Sequence, residues 1–255
     1  MGIIIDIIIL SLAVAPVALL LFVVYKSDKY EKEPLGMLIL AFVLGILSIP
    51  MDLLTVALIN VVYTGSTVFY SAFLEAGIPE ELCKWTLFML AIWRNKNFNE
   101  FFDGIVYACF IGLGFAFVEN IMYVFGESSL LGAVGVSLLR AGLAVPAHFL
   151  FGVLMGYCLS MAKYYPEQRK KYLVLSLIIP MAAHGIYDYI LMLISALGGA
   201  VPVIGIILFG LFVFFDIRLW KVGVKRIRVM QEASKNQHIN EILENNTFVN
   251  NNNEQ

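Results

Sequence analysis

The stretch EAGIPEELCKW places Glu80, Glu81 and Lys84 between two runs apolar enough for a lipid bilayer. Ionisable side chains in such a setting are costly and mark function. Others within apolar segments include Asp52, Glu119, Arg140, His148, His184 and Asp188, with the polar Asn120 beside Glu119. These are the residue types of a hydrolytic site. Carboxylates can take a proton from water, imidazoles can hold a metal or an oxyanion, and a lysine can balance buried charge. The simpler alternative is that the polar groups only pair to hold helices together.

Local spacing assigns roles. Pro79 suits the first turn of a helix, which puts Glu80 and Glu81 at a positive dipole end. Glu80 and Lys84 are four apart and share a face, whereas Glu81 points about 100° away. Glu75 lies on the other side of the break and is expected to be a surface or cavity-rim residue. His184 and Asp188 in HGIYD are also four apart, so the aspartate can fix the imidazole tautomer or share a metal. His148, Gly152 and Gly156 form a stripe whose glycines permit close helix approach. Two histidines and a carboxylate are the ligands of many hydrolytic zinc sites. His148, His184 and Glu119 can supply them, with Glu80 or Glu81 activating the bound water. The HExxH metalloprotease signature is absent, and a metal-free glutamate mechanism stands beside the zinc one.

These groups must be held by membrane helices. Of the 255 residues 60% are hydrophobic and only 14% charged, which excludes an ordinary soluble domain. No basic excess suggests nucleic acid. Cys83, Cys109 and Cys158 lie far apart in apolar segments and form neither a metal motif nor a disulfide framework. Runs of about 20 apolar residues span a bilayer. Seven such spans are predicted, near 3–25, 35–63, 67–93, 103–125, 130–162, 172–196 and 201–220. The expected fold is therefore all-α and polytopic. The third and fifth spans are long, and are expected to break at Gly77–Pro79 and Arg140–Pro146. The N-terminal run lacks the basic region of a cleavable signal and reads as a retained helix. Alternate connectors carry Lys26, Lys29 and Lys32, then Arg94 and Lys96, then Lys163 to Lys171, then the cations after Arg218. The connectors near 64–66, 126–129 and 197–200 carry no Lys or Arg. By the positive-inside rule the N-terminus lies outside and the C-terminus in the cytoplasm. Residues 1–220 then form a membrane domain, and the Asn-rich 221–255 a cytoplasmic tail without fixed structure. His238, in that tail, is read as a solvated residue without chemistry.

Depth links the polar groups. Counting helical rise from the basic ends puts Glu80 about 20 Å up, Glu119 about 24 Å, His148 about 21 Å, His184 about 18 Å and Asp188 about 24 Å. Four spans thus deliver their polar groups to one layer in the outer half of a core about 30 Å thick. By the same count Arg140, about 33 Å up, is expected to snorkel to the outer interface. Asp52 has no assigned role.

With these residues in view, the chain resembles the PrsW family of bacterial intramembrane proteases. The family motifs EExxK, FxxxEN, HxxxG and HxxxD match Glu80-Glu81-Leu82-Cys83-Lys84, Phe115 to Glu119-Asn120, His148 to Gly152 and His184 to Asp188, in that order. YEKEP at Tyr30–Pro34 and FFDG at Phe101–Gly104 are similar to the family as well. The resemblance covers about residues 25–220. It implies a peptidase of the bacterial cell membrane that cuts a single-pass membrane protein, such as an anti-sigma factor, near its extracytoplasmic side. It also implies a relation to the CAAX-protease and bacteriocin-processing superfamily. The site residues it implies are Glu80, Glu81, Glu119, His148 and His184, supported by Lys84, Asn120 and Asp188. Asn120 would join the histidines in stabilising the oxyanion. A zinc cofactor on Glu119, His148 and His184 is one form of this site. A proton- or ion-coupled transporter using the same polar layer is the competing class, and a receptor for membrane peptides is a third. The absence of internal repeats argues against the transporter.

Overall fold

The computed structural model describes residues 3–199 and 201–253. Helices α1 (Ile3–Ser27) and α2 (Leu35–Val62) lead into a short α3 (Val68–Ala72) and, past a π turn at Phe73–Gly77, α4 (Ile78–Ala91). Then follow α5 (Asp103–Gly126), α6 (Leu130–Gly142), α7 (Ala144–Tyr164), α8 (Arg169–Leu197) and α9 (Pro202–Asn253). No strand occurs among the described residues. Six helical stretches are long and apolar enough to cross a membrane. The third of the seven spans expected from the sequence falls on the interrupted stretch from α3 through α4, which is not one of these six.

Both breaks fall where the sequence places them, but neither unwinds the chain. Pro79 offers no N–H to the residue four before it, so the helical ladder must adjust there. It does so by widening: the Ile78 N–H donates to the carbonyl of Phe73, five residues back, and Gly77 keeps helical dihedrals. In the fifth crossing, Leu143 leaves helical geometry with φ −122° and ψ −66°. The chain then restarts as α7, with Pro146 in its first turn, where proline is tolerated.

α5 is the central helix and packs most extensively on α7 and α2. Close approach is enforced by missing side chains. A Cβ on Gly152 would lie 2.9 Å from the Ala108 carbonyl, and one on Gly156 would collide with that of Gly104. The expected one-sided stripe on α7 is thus the seam against α5. A second contact joins the π turn to α8. A Cβ on Gly77 would lie 2.6 Å from the backbone nitrogen of Gly185, and one on Gly185 would enter the ring of Phe73. This contact sets His184 beside the start of α4.

The lysine- and arginine-rich end is closed by a polar knot. Asp103 Oδ2 accepts the backbone N–H groups of Asn99 (2.8 Å) and Glu100 (2.6 Å) at the start of α5. The Tyr107 hydroxyl donates to Glu33, Asn99 Nδ2 donates to Glu31 at 2.9 Å, and the Glu33 N–H donates to Asp28 at 3.3 Å. The YEKEP segment is therefore held by Asn99 and Tyr107, which flank FFDG, and Glu33 also meets Asp103, at the opposite end of α5 from Glu119. The polar segment after residue 220 departs from its expected lack of structure. It continues α9, because Gln231 donates to the Ser27 carbonyl, Gln237 to that of Asn99, and Ser234 Oγ accepts the Phe102 N–H. Composition reports the solubility of this segment but not these three anchors.

Two outcomes test this packing. Gly185→Ala should cost about 1–3 kcal/mol, because the new methyl meets a ring wedged between helices. Gly135→Ala, where nothing lies within 4 Å, should change stability by less than about 0.5 kcal/mol. Denaturation in mild detergent compares them, and equal effects would contradict the contact. Burial also pushes the carboxyls of Asp28 and Glu33 up, to about 6 and about 7. A raised carboxyl stabilises the fold at low pH, and that stability is lost as pH rises from about 4 through about 7. Amide protection across 28–34 and 99–107, corrected for intrinsic exchange, should fall between pH 5 and pH 8. Glu33→Gln should flatten the profile.

Candidate active site

The site begins at α4. Glu80 and Glu81 occupy its first turn, after Pro79, and Lys84 lies one turn on. All three are buried. Lys84 Nζ donates to Glu80 Oε2 at 3.1 Å and to Glu81 Oε1 at 2.8 Å. The lysine was expected to pair with Glu80 alone. It bridges both, because positions three and four apart are each within reach of a long side chain. Its ammonium also sits 3.8 Å from the centre of the Phe115 ring, which gives the first residue of FxxxEN a cation–π role.

α7 and α8 bring the two histidines face to edge, with ring centres 5.2 Å apart. Lys84 Nζ lies 3.3 Å from His148 Nδ1. An ammonium only donates, so Nδ1 accepts and Nε2 carries the proton toward Glu119 Oε2, 2.9 Å away. His184 repeats the pattern. Its Nε2 is 3.2 Å from Asp188 Oδ2 and its Nδ1 is 3.1 Å from Glu81 Oε1. Each imidazole thus has a carboxylate at Nε2 and turns Nδ1 toward α4, His148 to Lys84 and His184 to Glu81. A proton or a metal cation must sit between His184 Nδ1 and Glu81, since both atoms otherwise present lone pairs. Phe151 stacks on His184 at 4.6 Å between ring centres and fixes its plane.

Donor atoms of Glu80, Glu81, His148 and His184 all lie within 4.8 Å of one another. This differs from the expected set of Glu119, His148 and His184. The reason is Arg140, whose Nη2 takes Glu119 Oε2 at 2.6 Å and whose Nε takes Asn120 Oδ1 at 2.7 Å. Glu119 is left as the partner of His148 rather than a member of the inner group. Asn120 is fully buried, and its amide donates to the Ala13 carbonyl on α1 at 2.7 Å. It faces away from the cavity and is not placed to meet an oxyanion. Arg140 itself does not snorkel. Counting rise along a straight helix fails across Leu143, where α6 changes direction. The signal in the sequence is that Arg140 and Lys84 are the only Lys or Arg in the middle of a predicted span, Arg218 lying near the end of the last.

The four donors fit a zinc ion by chemistry, being two carboxylates and two imidazoles with carboxylates behind them. Glu80, Glu81, Glu119 and Asp188 face only two fixed cations, Lys84 and Arg140, so added positive charge is accommodated. Asp52 on α2 lies within electrostatic reach of Lys84, Glu119 and His184, and its Oδ1 has no hydrogen-bond partner. Glu75 stands apart as expected, but is half-buried rather than on the cavity rim. It accepts from Ser71 Oγ at 2.8 Å.

A cavity of about 430 Å³ opens onto this layer between α5, α6, α7 and α8. Its polar floor is Glu80, Glu119, Arg140, His148, His184 and Asp188, and its walls include Leu139, Leu143, Leu191 and Met192. Glu81 and Lys84 lie behind the floor rather than on it.

Comparison with known proteins agrees with this constellation. Residues 33–217 match the family described as "PrsW family intramembrane metalloprotease". Protease PrsW of Oceanobacillus iheyensis is 38% identical over 72% of this chain and 82% of its own. Protease PrsW of Clostridioides difficile is 36% identical over 88% of this chain and 92% of its own. That of Bacillus subtilis is 36% identical over 73% and 84%. No solved structure matches. With a family match across most of its length and all four motifs converging on one buried layer, the chain belongs to the PrsW family of intramembrane proteases.

Proposed function

We propose that this protein cuts a single-pass membrane substrate with water activated by Glu80. One observation carries the choice of base: Glu80 lines the cavity together with His148 and His184, whereas Glu81 does not. The fixed hydrogen bonds of Glu81 to Lys84 and His184 suit it to orienting the site. In this reading a substrate segment unwinds into the cavity, and a water is held between Glu80 and the histidines. Glu80 takes a proton as the water oxygen bonds to the peptide carbonyl carbon. Negative charge then grows on the carbonyl oxygen. The Lys84 ammonium, and His184 when a proton is also held at its Nδ1, stabilise it electrostatically in a site that excludes bulk water. Glu80 returns the proton to the amide nitrogen as the C–N bond breaks. Glu119 and Asp188 hold the two imidazoles at their Nε2 atoms throughout. Zinc bound by donors from Glu80, Glu81, His148 and His184 would polarise the carbonyl and acidify the water.

The positive-inside pattern supports a cytoplasmic C-terminus in the bacterial cell membrane, with the cavity in the outer half. The resemblance to the PrsW family implies an anti-sigma factor as the substrate class, and an outer-half cavity fits a cut on its extracytoplasmic side. The division into a peptidase domain over 1–220 and a cytoplasmic extension over 221–255 belongs to the same proposal.

In proteoliposomes with a single-pass substrate, Glu80→Gln should lower kcat by roughly 100-fold or more with little change in KM. Glu81→Gln should also lose activity, by releasing His184 and Lys84. Full cleavage by both variants would sink the mechanism, and solute flux without cleavage would favour a transporter. Wild-type protein should bind one zinc per chain, measured by metal analysis. His148→Ala and His184→Ala should each reduce that stoichiometry, and chelation should abolish cleavage until zinc is restored. Undiminished cleavage by metal-free protein would leave the glutamate chemistry acting alone.

A further inference from the structure

A second cleft, of about 340 Å³, lies between α7, α8 and α9 at the lysine- and arginine-rich end. Its lining is graded. Arg226 and Lys171 stand at its mouth with Tyr157 and Tyr172, and Leu154 and Ile179 line its depth. Lys171 is the third residue of α8, while Ile179 lies about 15 Å along that helix from its start. Leu154 lies about 15 Å from the end of α7. The cleft thus runs from the level of the basic connectors into the apolar slab.

Its cations meet aromatic rings but no carboxylate among the described residues. The Arg226 guanidinium lies 4.2 Å from the centre of the Tyr157 ring, and the Lys171 ammonium 5.4 Å from that of Tyr172. The ion pairs among the described residues involve Lys84, Arg140 and the two site histidines, and neither Arg226 nor Lys171. Arg226 is half-buried, so its charge is only partly hydrated. A ligand that satisfies this arrangement carries a phosphate at one end and a hydrocarbon chain at the other. The guanidinium fork matches phosphate oxygens, tyrosines suit the headgroup level, and the leucine and isoleucine walls match an acyl chain. A zwitterionic headgroup adds an ammonium beside two unpaired cations, whereas an anionic one does not.

We propose that this cleft binds one anionic phospholipid, its phosphate between Arg226 and Lys171 and an acyl chain along α7 and α8. The lipid then ties α9 to the two helices that carry His148 and His184. The site is independent of the cleavage chemistry proposed above.

The test uses the full chain in nanodiscs of phosphatidylcholine with or without phosphatidylglycerol, and in detergent for native mass spectrometry. Wild type should retain one phosphatidylglycerol per chain and unfold at higher temperature when that lipid is present. Arg226→Gln with Lys171→Gln should reduce the retained lipid at least fivefold and remove the temperature shift, while leaving unfolding in pure phosphatidylcholine unchanged. Lys221→Gln with Lys225→Gln removes the same charge from the neighbouring groove and should keep the effect. The proposal is overturned if wild type shows no preference between the lipids. It also fails if the cleft variant keeps the preference, or if the control variant loses it equally, since that pattern is general surface attraction. A shift reproduced by soluble glycerol phosphate would reduce the site to an ion site and overturn the acyl component.

Discussion

Lys84 is the charge on which the buried site depends. Two carboxylates on adjacent residues inside a membrane repel each other and pay heavily for lost hydration. The ammonium one turn away contacts both, and also the lone pair of His148 and the face of Phe115. A single cation thereby joins α4, α5 and α7. Removing one partner from such a group leaves the others buried and uncompensated, which costs far more than the pair itself contributes. The arrangement is accordingly all-or-none. Arg140 performs the same service one layer outward, for Glu119 and Asn120, where a planar fork is needed because the two acceptors lie on adjacent residues.

Placing these charges requires helices closer than ordinary side chains permit. α8 reaches α4 only because Gly77 and Gly185 meet backbone to backbone, and the π turn supplies the extra residue that aims Gly77 at that point. α7 reaches α5 through Gly152 and Gly156, on the same face as His148. In a bilayer such contacts replace the hydrophobic drive that packs soluble helices. The glycines are therefore part of the site's geometry although none of them touches the cavity floor.

Much of this was legible in the sequence, for identifiable reasons. Charge is so unfavourable in an apolar span that each ionisable residue announced itself, and helical rise placed Glu80, His148 and His184 in one layer. The helix breaks could be read from Gly77, Pro79 and Pro146. What could not be read depends on lateral packing. Rise gives height but not azimuth, so the sequence alone groups Glu119 with His148 and His184 and does not reveal that Arg140 also takes its carboxylate. Asn120 was counted as an oxyanion donor although it faces α1. Arg140 was set at the interface because a straight-helix count does not register the turn at Leu143. The continuation of α9 depends on Gln231, Ser234 and Gln237 meeting loops more than a hundred residues earlier, and composition is silent on such contacts.

The two histidines explain why the geometry suits either of the two proposed chemistries. Each has its Nε2 occupied by a carboxylate from outside the inner group, so each is committed to offering Nδ1 inward. At His148 that lone pair meets the Lys84 ammonium. At His184 it meets Glu81 across a gap that only a proton or a metal can bridge. Lys84 and a divalent ion are then alternative ways of satisfying the same ring of lone pairs. The carboxylates behind the imidazoles fix the ring orientation in either case. The same outward hydrogen bonds that fix the tautomers therefore decide which ring nitrogen faces the centre, so Glu119 and Asp188 shape the donor set that the glutamates of α4 meet.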